Sequence, residues 1–408
     1  MSSSEVTHVT SPAIRPPGGP VLDRRAVGWI IAFAALVIVA FAWAKWIPYW
    51  HKIPAVADSG SMGTPVIGDD GLPWFSIEHG WSFATAYLRS VWPAIVAGLV
   101  TAAAVQALLP RDMLVRFLGG EAGVGGIGGT GGVARAALAG LPTMLCTCCA
   151  APLAVSLRRS NIAIRSALSF WLTNPLLNPA VLAFAFFALS PGWMLLRLGL
   201  GVVVLVAVLA LTWRIGSRTG AGGVGGTRGD AAGGDVVGAD VAAVDVAVVD
   251  VAGADMAGRG AAVADAGDVA EPAQGVRAFL RALLRYTITL VPLLVILVFL
   301  LGAFQGALFP LGQSLQSWGV GAVLLLAVAG MVIAVPTGAE IAVVAALLTA
   351  GAPAWLAAAL LITLPATSLP SLAMAWRSFP HRVEVIVASV AVAGGLLGAA
   401  IAAVVPGW

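Results

Sequence analysis

The sequence has few charged residues, and this scarcity excludes most classes of soluble protein. Charged side chains make up 10% of the 408 residues and hydrophobic side chains 60%. A soluble domain carries about 25% charged residues. So few charges cannot cover that much apolar surface in water, so lipid must be the solvent for most of the chain. A soluble enzyme, a nucleic-acid-binding domain and a secreted disulfide-bonded scaffold are therefore excluded.

The sequence also lacks the motifs that hold nucleotides. The glycine run at residues 119–132 contains no G-x-x-x-x-G-K-[ST] pattern and follows no predicted strand, so a flexible hinge is the better interpretation. The net charge of +3 requires no nucleic-acid partner, because basic residues beside membrane spans set their orientation. We therefore expect no cofactor, and any active transport must draw on an ion gradient.

Long apolar segments recur along the chain and predict an all-α, polytopic bundle of membrane helices. About 20 apolar residues are enough for a helix to cross a bilayer. The predicted segments are 27–46, 83–109, 134–157, 162–189, 193–213, 279–308, 320–349, 355–375 and 383–405. Residues 48–80, rich in proline, glycine and tryptophan, are predicted to form a loop at the membrane interface.

Composition divides the chain into four regions. They are a disordered tail (1–26), a first membrane half with one extra N-terminal span (27–213), an acidic linker (214–276) and a second membrane half (277–408). In the linker an aspartate recurs at every fifth position from Asp230 to Asp255. This period fits neither a helix face nor a strand face and indicates a low-complexity segment. It also differs from the ligand spacing of an EF-hand calcium loop.

The two membrane halves contain an internal repeat. Residues of the first half match residues of the second half at a constant offset of 190 positions. The matches fall on prolines and on polar side chains. The pairs are Thr147 with Thr337, Thr173 with Thr363, Pro175 with Pro365, and Asn178 with Ser368. Paired interruptions in two halves of a membrane protein are the best sequence indication of a transporter binding site.

The distribution of arginine predicts how the repeats are oriented. If segments 134–157 and 320–349 are re-entrant hairpins, most arginine clusters can lie on the cytoplasmic side. The two repeats are then inverted relative to each other, and the chain has seven full spans and two broken segments. The total is about seven to nine membrane segments, depending on whether the broken segments are counted. The N-terminus and the linker are cytoplasmic in this arrangement, whereas Arg89 and Arg197 lie toward the outer face.

The chain contains only three cysteines, and they lie within four residues of one another: Cys146, Cys148 and Cys149. Cysteine is often just a small buried apolar residue, but that role does not explain the clustering. Thiolates favour soft cations and thiophilic metalloids. No histidine lies beside the three cysteines, so a closed zinc site lacks its fourth ligand.

Redox chemistry is a rival use of the cysteines. A disulfide between Cys146 and Cys149 is one possibility, whereas the adjacent pair Cys148 and Cys149 is poorly suited to a bridge. A transmembrane thiol relay needs a partner cysteine. The second half has none, and the position that corresponds to Cys146 is Pro336.

Glu340 is the one acidic residue well inside an apolar segment. Carboxylates within a membrane usually mark an ion or proton path. The alternative is a structural carboxyl group that is hydrogen-bonded to Thr337 or to a free backbone amide.

Two proline-containing motifs interrupt matching spans: TNPLLNP from Thr173 and LPATSLP from Leu364. Proline inside a helix removes a backbone donor and frees carbonyl groups. Nearby polar side chains can satisfy these groups or contact a substrate, and they are Asn174, Asn178, Thr363, Thr367 and Ser368. A kinked, packed helix is the alternative.

The cysteine segment LCTCCAAPLAVSLRRSNIAIRSALSFWLTNPLLNPAVL resembles the predicted permease family that includes bacterial organoarsenical efflux permeases. The segment PTGAEIAVVAALLTAGAPAWLAAALLITLPATSLPSLAMAWRSFP is similar to the family's second signature. The resemblance covers residues 82–213 and 277–405. It implies that Cys146, Cys148 and Pro152 take the positions of the family's cysteine turn.

The resemblance also implies that Glu340 takes the position of the family's acid. Two residues depart from the family pattern: Thr147 stands where serine is usual, and Cys149 stands where glycine is usual. The extra thiol can strengthen the binding of a soft ligand, or it can reshape the turn and change the substrate.

Together these features predict a permease of the inner (plasma) membrane rather than an enzyme. Its expected activity is export of a soft, thiol-reactive substrate, such as a trivalent arsenical or a soft metal ion, coupled to an ion gradient. The alternatives are a membrane thiol–disulfide oxidoreductase and a non-transporting membrane scaffold. The predicted substrate-binding residues are Cys146, Thr147, Cys148, Cys149, Asn174, Pro175, Asn178, Thr337, Glu340, Thr363 and Ser368, with the three cysteines also as candidate metal ligands.

Overall fold

The computed structural model describes residues 24–62, 74–109, 111–119, 129–220, 272–304, 320–349 and 351–405. Within these ranges the chain folds into helices and contains no β-strand, as predicted. In chain order the helices are α1 (Arg24–Phe41), α2 (Ile47–Ser59), α3 (Ile77–Leu108), α4 (Arg111–Leu118), α5 (Thr130–Gly140), α6 (Thr147–Arg159), α7 (Ile164–Leu176), α8 (Pro179–Ala188), α9 (Pro191–Gly220), α10 (Pro272–Ala303), α11 (Val320–Val332), α12 (Ala339–Thr349), α13 (Ala354–Ala366), α14 (Leu369–Ala375) and α15 (His381–Val404).

Seven helical units of the described residues are long and apolar enough to cross a membrane. They are Ile30–Ser59, Ile77–Leu108, Ile164–Ala188, Pro191–Trp213, Gly275–Ala303, Ala354–Ala375 and His381–Val404. Their number agrees with the predicted seven full spans. The predicted hairpins correspond to α5 with α6 and α11 with α12. Each of these helices has 11 or 13 residues, so it rises at most about 20 Å and is too short to cross a bilayer.

The first span is longer than the sequence indicated, because residues predicted to begin a loop are helical. A π-helical turn, Ala42–Trp46, joins α1 to α2. Pro48 is the second residue of α2 and follows this π-helical turn directly, so the helix continues through the proline at a local change of winding. The helix ends at Gly60, whose φ of +64° is accessible to glycine at little cost. The interfacial loop therefore begins after residue 59 rather than at residue 48.

The internal repeat is visible in the order of the helices. A hairpin of two short helices, a span interrupted at a proline and one further long helix form repeat 1 (α5–α9), and the same order forms repeat 2 (α11–α15). Pro175 lies at the end of α7 and Pro365 at the end of α13. Asn178 and Ser368 are the N-cap residues of the short helices that follow. The offset of 190 positions therefore relates equivalent positions in the structure.

Close packing inside each repeat depends on a glycine at the same repeat position. A Cβ atom at Gly140 would lie 2.9 Å from the carbonyl oxygen of Phe170. A Cβ atom at Gly330 would lie 2.5 Å from Oγ1 of Thr363. In each repeat the first hairpin helix thus lies directly against the helix that precedes the break, and a side chain would separate them.

The repeats contact each other so that each hairpin faces the interrupted span of the other repeat. Helix α6 packs on α14, and α12 packs on α8, while α7 contacts α13 and α9 contacts α15. The extra N-terminal span lies outside both repeats, with α1 against α3 and α2 against α8. At this last contact the ring of Tyr49 packs edge-on against Phe184, with centroids 5.7 Å apart.

Two predicted regions fall largely outside the described residues. The structure does not describe residues 1–23 of the predicted N-terminal tail or residues 221–271 of the predicted linker. On either side of the linker, α9 extends to Gly220 and α10 begins at Pro272.

Candidate functional site

The tip of the first hairpin is an unwound turn that positions the cysteines. A single 3₁₀ turn, Leu141–Thr143, follows α5, and Met144 then adopts a left-handed conformation with a φ of +49°. Cys146 is the N-cap residue of α6. The side chain of Asn174 holds this turn: its Oδ1 accepts hydrogen bonds from Thr143 Oγ1 and from the backbone N–H of Leu145. The amide group of Asn174 therefore braces the hairpin.

The three cysteines form a compact cluster of buried, free thiols. Sγ of Cys146 lies 3.1 Å from Sγ of Cys148 and 3.1 Å from Sγ of Cys149. Sγ of Cys148 also lies 2.7 Å from the hydroxyl oxygen of Tyr87. All three sulfur atoms lie within 4.8 Å of one another, so one soft atom can contact them together. Among the described residues this is the one cluster of at least three His, Cys, Asp or Glu side chains suited to a metal ion.

The tip of the second hairpin carries the buried carboxylate. Gly338, with a φ of +88°, ends the unwound segment between α11 and α12. Glu340 follows in the first turn of α12 and is 2% exposed. One carboxylate oxygen, Oε1, accepts a hydrogen bond from Arg197 at 3.1 Å, and the other, Oε2, has no partner.

Arg197 of α9 joins this carboxylate to both helix breaks. It is 1% exposed and donates to the carbonyl oxygens of Pro175 and Leu361 as well as to Glu340. Leu361 lies four residues before Pro365, so its carbonyl group is one that proline leaves without a helical donor. Glu340 thus pairs with Arg197, a residue predicted only to lie toward the outer face. Thr337, one partner considered in the structural alternative for Glu340, accepts a hydrogen bond from Lys45 instead.

Lys45 is a second charged residue that the sequence analysis overlooked. It lies in the π-helical turn of the extra span, is 6% exposed, and donates to Thr337 Oγ1 and to Tyr49 Oη, both at 3.1 Å. Its neighbour Trp46 donates from Nε1 to the carbonyl oxygen of Pro142 at 2.6 Å. The extra span therefore contacts the tips of both hairpins. The available signal was a lone lysine within an apolar segment.

A small, partly open cavity lies where the two hairpin tips meet the two breaks. Its lining residues are Leu145, Cys146, Thr147, Pro175, Val335, Pro336, Thr337, Glu340, Leu364 and Pro365. Five predicted site residues therefore line one space: Cys146, Thr147, Pro175, Thr337 and Glu340. Both repeats contribute residues to the lining of the cavity, as expected for a site at a repeat interface.

A second small cavity, which is apolar, lies beside Cys148 and Cys149. Cys148, Cys149 and Pro152 form part of its wall, and leucine, isoleucine, valine and methionine side chains form the rest. The sulfur cluster therefore separates a cavity that contains the carboxylate from one without charge.

The remaining predicted site residues surround the breaks and make local hydrogen bonds. Asn178 Oδ1 accepts from the backbone N–H groups of Ala180 and Val181, and so caps α8. Thr363 donates to the carbonyl oxygen of Ala359. Ser368 contacts Thr147 through their hydroxyl oxygens, 3.3 Å apart, which joins the first hairpin to the second break.

Interrupted helices that meet around buried sulfur and charge define a multi-pass membrane protein with the architecture of a permease. The chain belongs to the predicted permease family ArsP_1, whose model matches residues 129–404 and so includes both repeats. It is similar to the UPF0718 protein YraQ of Escherichia coli strain K12, with 34% identity over 376 residues, or 91% of this chain and 94% of that protein. No solved structure matches the chain. The resemblance noted in the sequence is thereby confirmed.

Proposed function

We propose that this permease exports a soft, thiol-reactive substrate, such as a trivalent organoarsenical or a soft metal ion, across the inner membrane. The observation that carries the proposal is one cavity between two hairpin tips, lined by Cys146 on one side and Glu340 on the other. Cys148 and Cys149 lie directly behind Cys146. A substrate that enters the cavity meets sulfur ligands first at Cys146 and then at the other two thiols.

The substrate would bind to two or three of the thiols and pass from one thiol to another, instead of staying in one site of fixed geometry. Three soft ligands within 4.8 Å can bind a thiophilic atom through two or three sulfurs. Tyr87, whose hydroxyl group contacts Cys148, fixes the position of that thiol. Because the cluster also walls the second cavity, a bound substrate can leave on the side opposite to the one it entered.

Glu340 would couple this movement to an ion gradient. Its free oxygen, Oε2, can accept a proton or a cation, whereas Oε1 is held by Arg197. A proton on the carboxylate would weaken its bond to Arg197, because the pair would lose its charge on one side. Arg197 also holds a carbonyl group beside each break. Ion binding at Glu340 would therefore act on the one side chain that is bonded to both interrupted spans.

The proposal includes the topology predicted from the distribution of arginine residues, in which the N-terminus and the linker lie on the cytoplasmic side. Everted membrane vesicles then expose the cytoplasmic face, and export appears as uptake into the vesicle.

The test is uptake into everted vesicles across a panel of thiophilic compounds. Wild type is compared with Cys148→Ser and with Glu340→Gln, and Glu78→Gln on the exposed first turn of α3 is the matched control. We expect accumulation by wild type and the control, and loss of accumulation in the other two variants. Equal accumulation in all four proteins would reject the site.

A further inference from the structure

The first span lies outside both repeats, yet it contacts the tips of both hairpins. We propose that its π-helical turn, Ala42–Trp46, holds the two tips together and must release one of them before the cavity between them can open. We call this segment the bridging turn. Lys45 and Trp46 are then positioning residues that determine how often the thiols become accessible. The inference rests on the proposed function for the movement of the repeats, but its test does not require the substrate to be known.

The first step is that neighbouring residues of one turn bond to different hairpins. Trp46 donates from Nε1 to the carbonyl oxygen of Pro142, at the tip of the first hairpin, over 2.6 Å. Lys45 donates from Nζ to Oγ1 of Thr337, at the tip of the second hairpin, over 3.1 Å. Inside a bilayer water does not readily replace a lost partner, so breaking either bond carries a cost.

The second step is the local structure that holds the bridging turn in place. Before its two donors, the ring of Trp43 packs edge-on against Trp92 of α3, with centroids 5.3 Å apart. After them, Tyr49 packs against Phe184 of α8 and accepts a second hydrogen bond from Lys45. The two donors are adjacent in a helix, so their positions relative to each other are fixed. Short π-helical turns within α-helices occur frequently at functional sites.

The third step is what the two bonds require when the repeats move. Transporters built from inverted repeats move one repeat against the other around the binding site. A hydrogen bond is lost once its heavy atoms separate by more than about 3.5 Å. A turn that is bonded to both tips cannot follow both of them when they separate. The weaker bond must therefore break, and the bridging turn stays with the other hairpin.

The fourth step is the pattern of mutational effects that this mechanism predicts. In wild type, opening costs the weaker of the two bonds. When either bond is removed by mutation, the turn can stay with the tip that it still holds, and opening then costs neither bond. Each single variant should therefore open more often by the same factor, about fivefold for one hydrogen bond. A double variant should gain no more than that, because no bond remains to be saved.

The experiment uses the full chain, purified and reconstituted in liposomes, and measures the rate at which N-ethylmaleimide labels its thiols. The three cysteines are at most 5% exposed and are the only ones in the chain, so labelling reports opening. Trp46→Phe removes the donor of the first bond and keeps an aromatic ring. Thr337→Val removes the acceptor of the second bond and keeps the charge of Lys45. Trp43→Phe in the same turn and Thr349→Val at the exposed end of α12 are the matched controls.

All rates are measured below the unfolding transition of each protein. We expect labelling about fivefold faster than in wild type for Trp46→Phe, for Thr337→Val and for the double variant, with both controls unchanged. An effect in the double variant equal to the product of the two single effects would show that the bonds act independently and would overturn the inference. Unchanged labelling in either single variant would overturn it as well.

A parallel uptake measurement separates this inference from the proposed function. Uptake of phenylarsine oxide or Ag⁺ by wild type, together with unchanged labelling in the variants, would reject the bridging turn and leave the permease site intact. Absence of uptake by wild type, together with the expected labelling pattern, would reject the proposed export and leave the role of the bridging turn in place.

Discussion

Arg197 offers the sharpest test of how the site is held together. In the variant Arg197→Met, the carboxylate of Glu340 loses its salt bridge, and the carbonyl groups of Pro175 and Leu361 lose their donor. Removing one partner of a buried ion pair costs about 3–5 kcal/mol, because the other charge stays buried and unpaired. Each orphaned carbonyl group adds about 1–3 kcal/mol. We therefore expect a loss of at least about 5 kcal/mol of stability.

The second variant in the cycle is the double substitution Arg197→Met with Glu340→Gln. Glutamine carries no charge, so the double variant avoids the unpaired carboxylate and should recover about 3 kcal/mol of the loss. The two carbonyl groups remain without a donor, so recovery should be partial. Arg89→Met is the matched control, because Arg89 is an exposed arginine of another span, and a surface change alters stability by about 0.5 kcal/mol or less.

The assay is reversible denaturation in mixed micelles of purified wild type, Arg197→Met, Glu340→Gln and the double variant, with their four free energies of unfolding combined as a double-mutant cycle. A double variant as unstable as Arg197→Met alone would refute the view that the salt bridge carries the effect. A loss as small as that of Arg89→Met would refute the role of Arg197 at the breaks as well.

Three further predictions follow from the packing, the thiols and the linker. Gly140→Ala should destabilise the protein by about 1–3 kcal/mol, whereas Gly199→Ala, with open space at its Cβ position, should not; thermal denaturation in detergent measures both. Thiol titration should find three reactive thiols per denatured chain before and after turnover, and a loss of two would favour the oxidoreductase. Deletion of residues 221–271 should leave transport within about twofold of wild type if they serve as a linker, and abolished transport would favour the scaffold.

The sequence was sufficient to predict the spans, the hairpins and the breaks, because these depend on local composition. Apolar length determines whether a helix can cross a bilayer. Pro175 and Pro365 mark both breaks. Proline alone does not decide a break, because Pro93 and Pro292 lie inside continuous helices. The repeat was also accessible, since equivalent residues stand at a constant offset. The first span extends beyond its predicted end, because the proline, glycine and tryptophan content of residues 48–80 indicates a loop, whereas the helix continues to Ser59.

The partners of the charged residues could not be predicted, because they depend on how distant helices pack. Arg197 and Glu340 are 143 positions apart and belong to different repeats. Only the three-dimensional fold brings α9 of one repeat against the hairpin of the other. Lys45 was visible in the sequence but lies among several tryptophans, and this environment is typical of a membrane interface, where a lysine needs no partner.

The two hairpins share one architecture but carry different chemistry. Thr147 and Thr337 correspond at the repeat offset, whereas Cys146 corresponds to Pro336. The thiols therefore lie only on the first hairpin, and the carboxylate only on the second. If the proposed function holds and the repeats alternate in position during transport, a substrate bound to sulfur would stay with the first hairpin, and an ion bound to Glu340 would move with the second. The salt bridge from Arg197 to Glu340 connects the second hairpin to α9 of repeat 1, and the contact of Thr147 with Ser368 connects the first hairpin to the break of repeat 2.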